Sequence, residues 1–308
     1  MRIPASKTLL AMAAAGLLAG GPAAFAQDAG APAQDAAGTP AATPTPAPLN
    51  LPAEHSWRLG LALGYGKRTN PLIQSDDIPV LVDVDIAWFG KRWFFDNGDV
   101  GFTALDNRFF TANLMARVNS DRAFFSKTNT KYVTLAYSTG GNLTPAYNPT
   151  TGLVNTEPAP VKPPKRDYAI EAGIEMLFGG DWGNATLRGF RDVSGTHEGY
   201  EISADYAYRW THGRLSISPS AGVSYKSAKL SDYYWGVHPG EATFLLPAYR
   251  PDGGLGWEAG LRTSYYLTKQ VRLALSANYE RLQWDIAQSP LVKRDYVLGY
   301  FAGFGWQF

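Results

Sequence analysis

Asp192, Ser194 and His197 lie within six consecutive positions and together offer a carboxylate, a hydroxyl and an imidazole. These are the parts of a nucleophilic relay, in which the imidazole takes the hydroxyl proton and the carboxylate orients the ring. Such relays are defined by geometry, and spacing alone does not bring Ser194 within reach of His197. The stretch Asp192-Val193-Ser194-Gly195-Thr196-His197 is also rich in the residues that build tight turns. A turn-stabilising role is the first expectation and an outer-membrane hydrolase the last. His55, His212 and His238 are scattered along the chain, with no metal-ligand spacing to His197. The chain has no cysteine, which excludes disulfides, Cys–zinc sites, thiol nucleophiles and a lipid anchor on an N-terminal Cys. No catalytic residue, metal or cofactor is expected.

A larger set of charges is more informative. Arg58, Asp83, Asp85, Arg117, Glu171, Glu175, Glu201, Asp205, Arg209, Arg214, Lys226, Glu258, Arg262, Arg272 and Glu280 all stand opposite apolar positions of alternating segments. If those apolar faces meet lipid, a cation among them at the bilayer midplane costs roughly 2–4 kcal/mol. The charges must then point into a lumen. Both signs occur, so two readings stay open: a paired polar network filling the interior, or a narrow, weakly selective channel.

The segments that carry these charges have period two, the strand signature. Trp57, Leu59, Leu61, Leu63 and Tyr65 alternate with Arg58, Gly60, Ala62, Gly64 and Gly66. Tyr200, Ile202, Ala204, Tyr206 and Tyr208 alternate with Glu201, Ser203, Asp205, Ala207 and Arg209. Soluble sandwiches alternate too, but their strands usually run about five or six residues. The runs here reach 10–15 residues, and a tilted strand needs about 9–11 to cross a bilayer. Trp and Tyr close the ends of the apolar faces, as an aromatic girdle does. The expected fold is all-β, a closed antiparallel transmembrane β-barrel of 12 strands, with 10 or 14 as alternatives.

Strands are expected at 57–66, 79–89, 99–105, 108–118, 131–139, 168–178, 183–193, 198–210, 213–226, 254–266, 270–282 and 294–308. The long links 67–78, 140–167, 227–253 and 283–293 then fall on one side of the membrane, and the short ones at 179–182, 211–213 and 267–270 on the other. That is the usual extracellular and periplasmic asymmetry. Residues 119–130 break it, being long for a periplasmic turn. Trp57, Trp88, Trp93, Trp182, Trp210 and Trp306 fall at the periplasmic boundary, Trp257 and Trp284 at the outer one.

Both ends of the chain carry their own signals. Arg2 and Lys7 precede a 13-residue apolar run at 9–21, and Ala24-Phe25-Ala26 offers a cleavage site before Gln27. That is the pattern of a secretory signal peptide over 1–26. Residues 27–54 are rich in Ala and Pro, too poor in apolar surface to fold, and form a disordered periplasmic tail in this reading. At the other end Tyr296, Leu298, Tyr300, Ala302, Phe304, Trp306 and Phe308 alternate to the final residue. Tyr300, Phe304, Trp306 and Phe308 are read as the signal recognised by the barrel assembly machinery. The expected site is the outer membrane of a Gram-negative bacterium, with its lipid and lipopolysaccharide around a barrel at 55–308. Charge is nearly balanced, 28 basic against 27 acidic residues, so no nucleic-acid partner is expected.

Several stretches resemble the MltA-interacting protein (MipA/OmpV) family of outer-membrane proteins. The segment from Arg191 through Asp192, His197, Glu198 and Gly199 looks like its strand-loop-strand signature. Ser231-Asp232-Tyr233-Tyr234-Trp235-Gly236-Val237 resembles its YYGV segment, with Trp235 where Tyr is more usual. Glu280-Arg281-Leu282 followed by Ser289-Pro290-Leu291-Val292 resembles its penultimate hairpin. With the Asp83/Asp85 strand the likeness covers 57–308. The resemblance implies a scaffold between a murein hydrolase and a murein synthase. It leaves open a diffusion channel or surface adhesin and supplies no catalytic residue.

Overall fold

The computed structural model describes residues 54–107, 109–125 and 163–307. The expected signal peptide, nearly all of the tail, the expected strand at 131–139 and Phe308 lie outside the described residues.

Thirteen strand segments form one antiparallel sheet: β1 (Ser56–Arg68), β2 (Ile78–Phe89), β3 (Trp93–Asp96), β4 (Asp99–Asp106), β5 (Phe110–Val118), β6 (Ile170–Gly180), β7 (Gly183–Asp192), β8 (Tyr200–Ala207), β9 (Trp210–His212), β10 (Leu215–Lys226), β11 (Gly254–Tyr266), β12 (Val271–Arg281) and β13 (Tyr296–Gln307). The first and last strands pair, as do β10 and β11, so the sheet closes on itself. Closure satisfies backbone groups that lipid cannot. β8 and β9 both pair with β10 in continuous register, interrupted only at Tyr208 and Arg209. The cause is Pro219 of β10. Tyr208 N–H donates to its carbonyl, but proline has no N–H to return. β8 and β9 are therefore one strand, and the closed barrel has twelve.

The number twelve matches the sequence reading, but one member differs. β5 pairs directly with β6 over its whole length, so no strand from 131–139 lies between them. The twelfth strand is β3, only four residues long. It turns into β4 through Asn97 and Gly98, with φ of 50° and 109°, as a two-residue hairpin requires. Asn97 also bonds outward, its amide donating to Asp85 and Asp96 and its side-chain oxygen accepting from Ile86 N–H. This insertion changes the parity of everything between β2 and β6. The link that leaves β5 at Asn119 departs from the same end as 69–77, 193–199, 227–253 and 282–295. Residues 119–130 therefore do not begin a periplasmic turn, and the exception to the long-outside, short-inside rule disappears.

Apolar residues face outward, with Trp57, Trp93, Trp182 and Trp210 all exposed near the short-turn end. The closing seam depends on two glycines paired in register, Gly64 of β1 and Gly303 of β13. A Cβ on Gly64 would stand 2.1 Å from Ala302 O and 2.5 Å from Gly303 Cα. The buried apolar core is not in the lumen. It lies at the long-link end, where the helices α1 (Ala228–Trp235) and α2 (Trp284–Ala287) and a 3-10 turn (Asp121–Phe125) meet.

Candidate functional site

The lumen is organised in cross-strand ion pairs. Arg58 bonds Asp85 and Asp96, each at 2.9 Å. Arg117 bonds Glu171 at 2.9 Å and Glu201 at 2.7 Å, with its guanidinium 3.9 Å from the Phe190 ring centre. Arg188 bonds Glu175 at 2.8 Å and Asp205 at 2.9 Å. Each arginine bridges two carboxylates from different strands, which satisfies charges that would otherwise be costly to bury. Asp205 and Glu258 meet over Gly222, where a Cβ would lie 2.2 Å from Asp205 Oδ1. Glu280 is the register neighbour of Glu258, and Lys226 lies within its electrostatic reach. Asp83 is exposed on β2, and Arg262 faces it from across the barrel. Arg209 and Arg272 line the same wall as Arg262. Arg214 does not belong to this set. It is exposed in the turn after β9, because the chain reverses at Gly213 (φ 57°) before the alternation resumes in β10.

The hydroxyl, imidazole and carboxylate near the β7–β8 link do not form a relay. His197 is buried, and its Nδ1 accepts the Gly199 N–H at 2.9 Å. Its Nε2 faces Glu171 Oε1 at 3.3 Å, not Ser194. The Ser194 hydroxyl donates to Asp192 at 2.7 Å. Asp192 also accepts the backbone N–H groups of Ser194, His197 and Glu198. The segment is a carboxylate-centred turn whose histidine is locked into the top of the lumen network.

The family-like segments converge on one structure, a cap across the barrel mouth. Ser227 leads into α1, and Gly236 ends it, donating its N–H to Asp232 O. Leu230, Tyr234 and Trp235 are fully buried. The Trp235 ring packs against Phe124 and Phe125, both at 5.8 Å, and its indole N–H donates to Asp121 at 3.3 Å. Asp121 accepts from Lys226 of β10 at 2.7 Å, while Arg68 of β1 lies 4.6 Å over the Phe124 ring. One cluster thus reaches from β1 to β10. From a third side the Ser289 hydroxyl donates to Trp235 O and Gln283 donates to Ser231 Oγ, both at 2.5 Å. Pro290 stands between Ser289 and Leu291, and Leu282, Ile286 and Leu291 complete the apolar packing. His197 packs against Tyr233 and Tyr234. Tyr233 accepts the Asp167 N–H, and burial pushes the Tyr234 hydroxyl pKa up. Glu198 pairs with Lys229, and Arg281 with Asp295 at the rim.

The sequence reading missed Arg68, Asp121, Phe124 and Arg166. Arg166 bonds Glu241 and the Gly236 carbonyl, and holds the Glu241 carboxyl below its usual range. None of these residues lies in a motif, and the 3-10 turn is too short to show a period.

A second clamp fixes the 69–77 link. Asp77 accepts from Lys67 at 2.8 Å, Arg294 at 2.6 Å and the Asn70 N–H at 3.1 Å. Burial opposes ionisation of Asp77, but these three partners outweigh it and hold the carboxyl down at about 2. A depressed carboxyl stabilises the fold above its ordinary pKa, about 3.9. That stabilisation is lost as pH falls from there through the depressed value. The protection of 69–77 against hydrogen exchange, taken relative to the intrinsic exchange rate at each pH, is therefore expected to stay constant from neutral pH down to about 5 and to fall below about 4. Asp77→Asn should show fast exchange already at neutral pH, and an unchanged profile would refute the clamp.

Comparison with known proteins places this architecture. The model of a family described as MltA-interacting protein MipA matches residues 59–308. Putative outer membrane protein YiaT of Escherichia coli K12 is 28% identical over 145 residues, 47% of this chain and 59% of that protein. OmpV of Vibrio cholerae is 28% identical over 128 residues, covering 42% and 50%. The MltA-interacting protein of Escherichia coli K12 is 29% identical over 135 residues, covering 43% and 54%. The aligned part spans 50–59% of the length of these relatives. The family model covers the whole barrel, and the relatives are outer-membrane proteins: the chain belongs to the MltA-interacting protein MipA family.

Proposed function

We propose that this barrel is an outer-membrane scaffold that positions murein-remodelling enzymes at its periplasmic end. The family match over 59–308 carries the reading, together with the relative described as MltA-interacting. The cap supports it by filling the long-link end with the protein's own loops, leaving the short-turn end for partners. The link that leaves β5 at Asn119 starts from the capped end and does not serve the periplasmic side in this proposal. In this proposal a signal peptide is removed after Ala26, and the Ala/Pro tail at 27–54 serves as the tether. A Pro-rich segment loses less conformational entropy on docking than a flexible one. A narrow diffusion channel is the second reading, favoured by the polar lumen and opposed by the cap.

The test is a pull-down from solubilised envelopes with the full chain and with 27–54 deleted. A murein hydrolase or synthase should be captured by the first and recovered poorly by the second. Capture of assembly machinery alone by both would count against the scaffold.

A further inference from the structure

The three most exposed large apolar side chains among the described residues are Phe244, Trp284 and Leu255, at 100%, 72% and 69%. All three belong to one corner of the long-link end. Leu255 is the second residue of β11 and faces outward with Trp257, at the top of the lipid-facing wall. Trp284 opens α2. The next residue, Asp285, accepts the Tyr249 hydroxyl at its backbone carbonyl, at 2.9 Å. The preceding one, Gln283, donates to the Asp252 carbonyl at 3.3 Å. The segment from Val237 to Tyr249 is therefore moored beside α2 and the start of β11.

Phe244 and Leu245 form the tip of that segment, held by a bonded stem. Val237 and Tyr249 exchange two backbone hydrogen bonds, at 2.8 and 3.0 Å. Thr243 and Leu246 exchange two more, at 2.8 and 3.1 Å, and close a two-residue turn. The Leu246 side chain is buried in the cap. Central positions of such turns usually carry Gly, Asn, Asp, Ser or Pro. Here both are apolar, and Leu245 is exposed as well. Phe244 stands five positions from Tyr249, so the tip lies within roughly 17 Å of it.

We propose that Phe244 and Leu245 enter the acyl-chain layer of the outer leaflet, extending the lipid-facing surface of β11 and α2 beyond the barrel wall. A bonded turn that holds two apolar side chains in water keeps an unfavourable surface exposed, and exposed apolar patches mark interaction sites. Continuity with Leu255, Trp257 and Trp284 selects lipid over a soluble protein as the occupant. Those side chains stand at the outer end of the lipid-facing wall, and tryptophan concentrates at membrane–water boundaries. Because Leu246 ties the turn to the buried cluster, the cap is fixed to the bilayer from outside as well as to the strands from within. This inference does not rest on the scaffold reading.

The test uses the absence of native cysteine, which lets one introduced thiol carry one spin label. Phe244→Cys is labelled with a nitroxide and reconstituted in vesicles of phosphatidylethanolamine and phosphatidylglycerol. Its collisions with oxygen, which concentrates among acyl chains, are compared with those of a water-soluble nickel complex supplied on both sides. Leu261→Cys, outward in the middle of β11, is the lipid reference, and Lys269→Cys, exposed in the β11–β12 turn, is the water reference. The label at 244 is expected to resemble that at 261, with nickel collisions several-fold fewer than at 269. Phe244 is fully exposed, so its replacement leaves the packing intact. Leu245→Cys keeps Phe244 and decides the matter if the first label disturbs the turn. Nickel accessibility at 244 and 245 equal to that at 269, in protein with the heat-modifiable migration of a folded barrel, overturns the proposal and leaves the tip to a soluble partner.

Discussion

Gly64→Val is expected to prevent the barrel from closing. Gly64 and Gly303 face each other where the first strand meets the last. A Cβ on Gly64 would fall 2.1 Å from a carbonyl oxygen and 2.5 Å from a Cα, both backbone atoms held in a ladder. β13 cannot yield there without breaking its pairing with β12 at Ala274, and β1 is held on either side of its bulge by Leu63–Val82 and Gly66–Val80. An open seam exposes backbone groups to lipid at several kcal/mol each. The variant should therefore accumulate as unfolded precursor and lose the heat-modifiable band. Gly299→Ala is the control, because a Cβ there meets nothing within 4 Å, and it should assemble normally. Wild-type levels of folded Gly64→Val in the outer membrane would refute the seam.

Trp235→Ala is expected to loosen the cap while the barrel persists. Trp235 is fully buried and touches Phe124, Phe125, Asp121 and Ser289. Removing a buried Trp costs about 3–5 kcal/mol, and the loss falls on elements that lie outside the strand ladders. The mutant should keep its heat-modifiable migration but become susceptible to added protease in 227–253 on intact cells. Resistance equal to wild type would mean that the loops hold without this anchor.

Barrel topology was legible in the sequence because lipid enforces strict alternation over long strands. Trp57–Tyr65 and Leu215–Tyr225 could be assigned to faces from residue type alone. β3 was not legible, since four residues give too little period, although Asn97-Gly98 between two aromatic stretches is a hairpin signal in its own right. Missing it changed the parity between β2 and β6 and put the link that leaves β5 at Asn119 on the wrong side. Pro219 inside β10 costs one ladder bond, the N–H it cannot return opposite Tyr208. Lumen residues were assigned by alternation, which fails at turns, and Arg214 is the case. The cap was visible as conspicuous segments around Tyr234 and Ser289, but their meeting is a long-range event. Nothing local in Asp121 or Phe124 announces that they complete it.

A packed cap built around Leu230, Tyr234, Trp235, Phe124, Ile286 and Leu291 lies across the outer mouth of the barrel. Single-channel recording in planar bilayers tests this most directly, with wild type and Trp235→Ala compared in one preparation. Wild-type protein should give no steady conductance, and the variant should give openings that wild type lacks. Steady conductance from folded wild-type barrels would contradict a closed mouth and move the protein to the channel class.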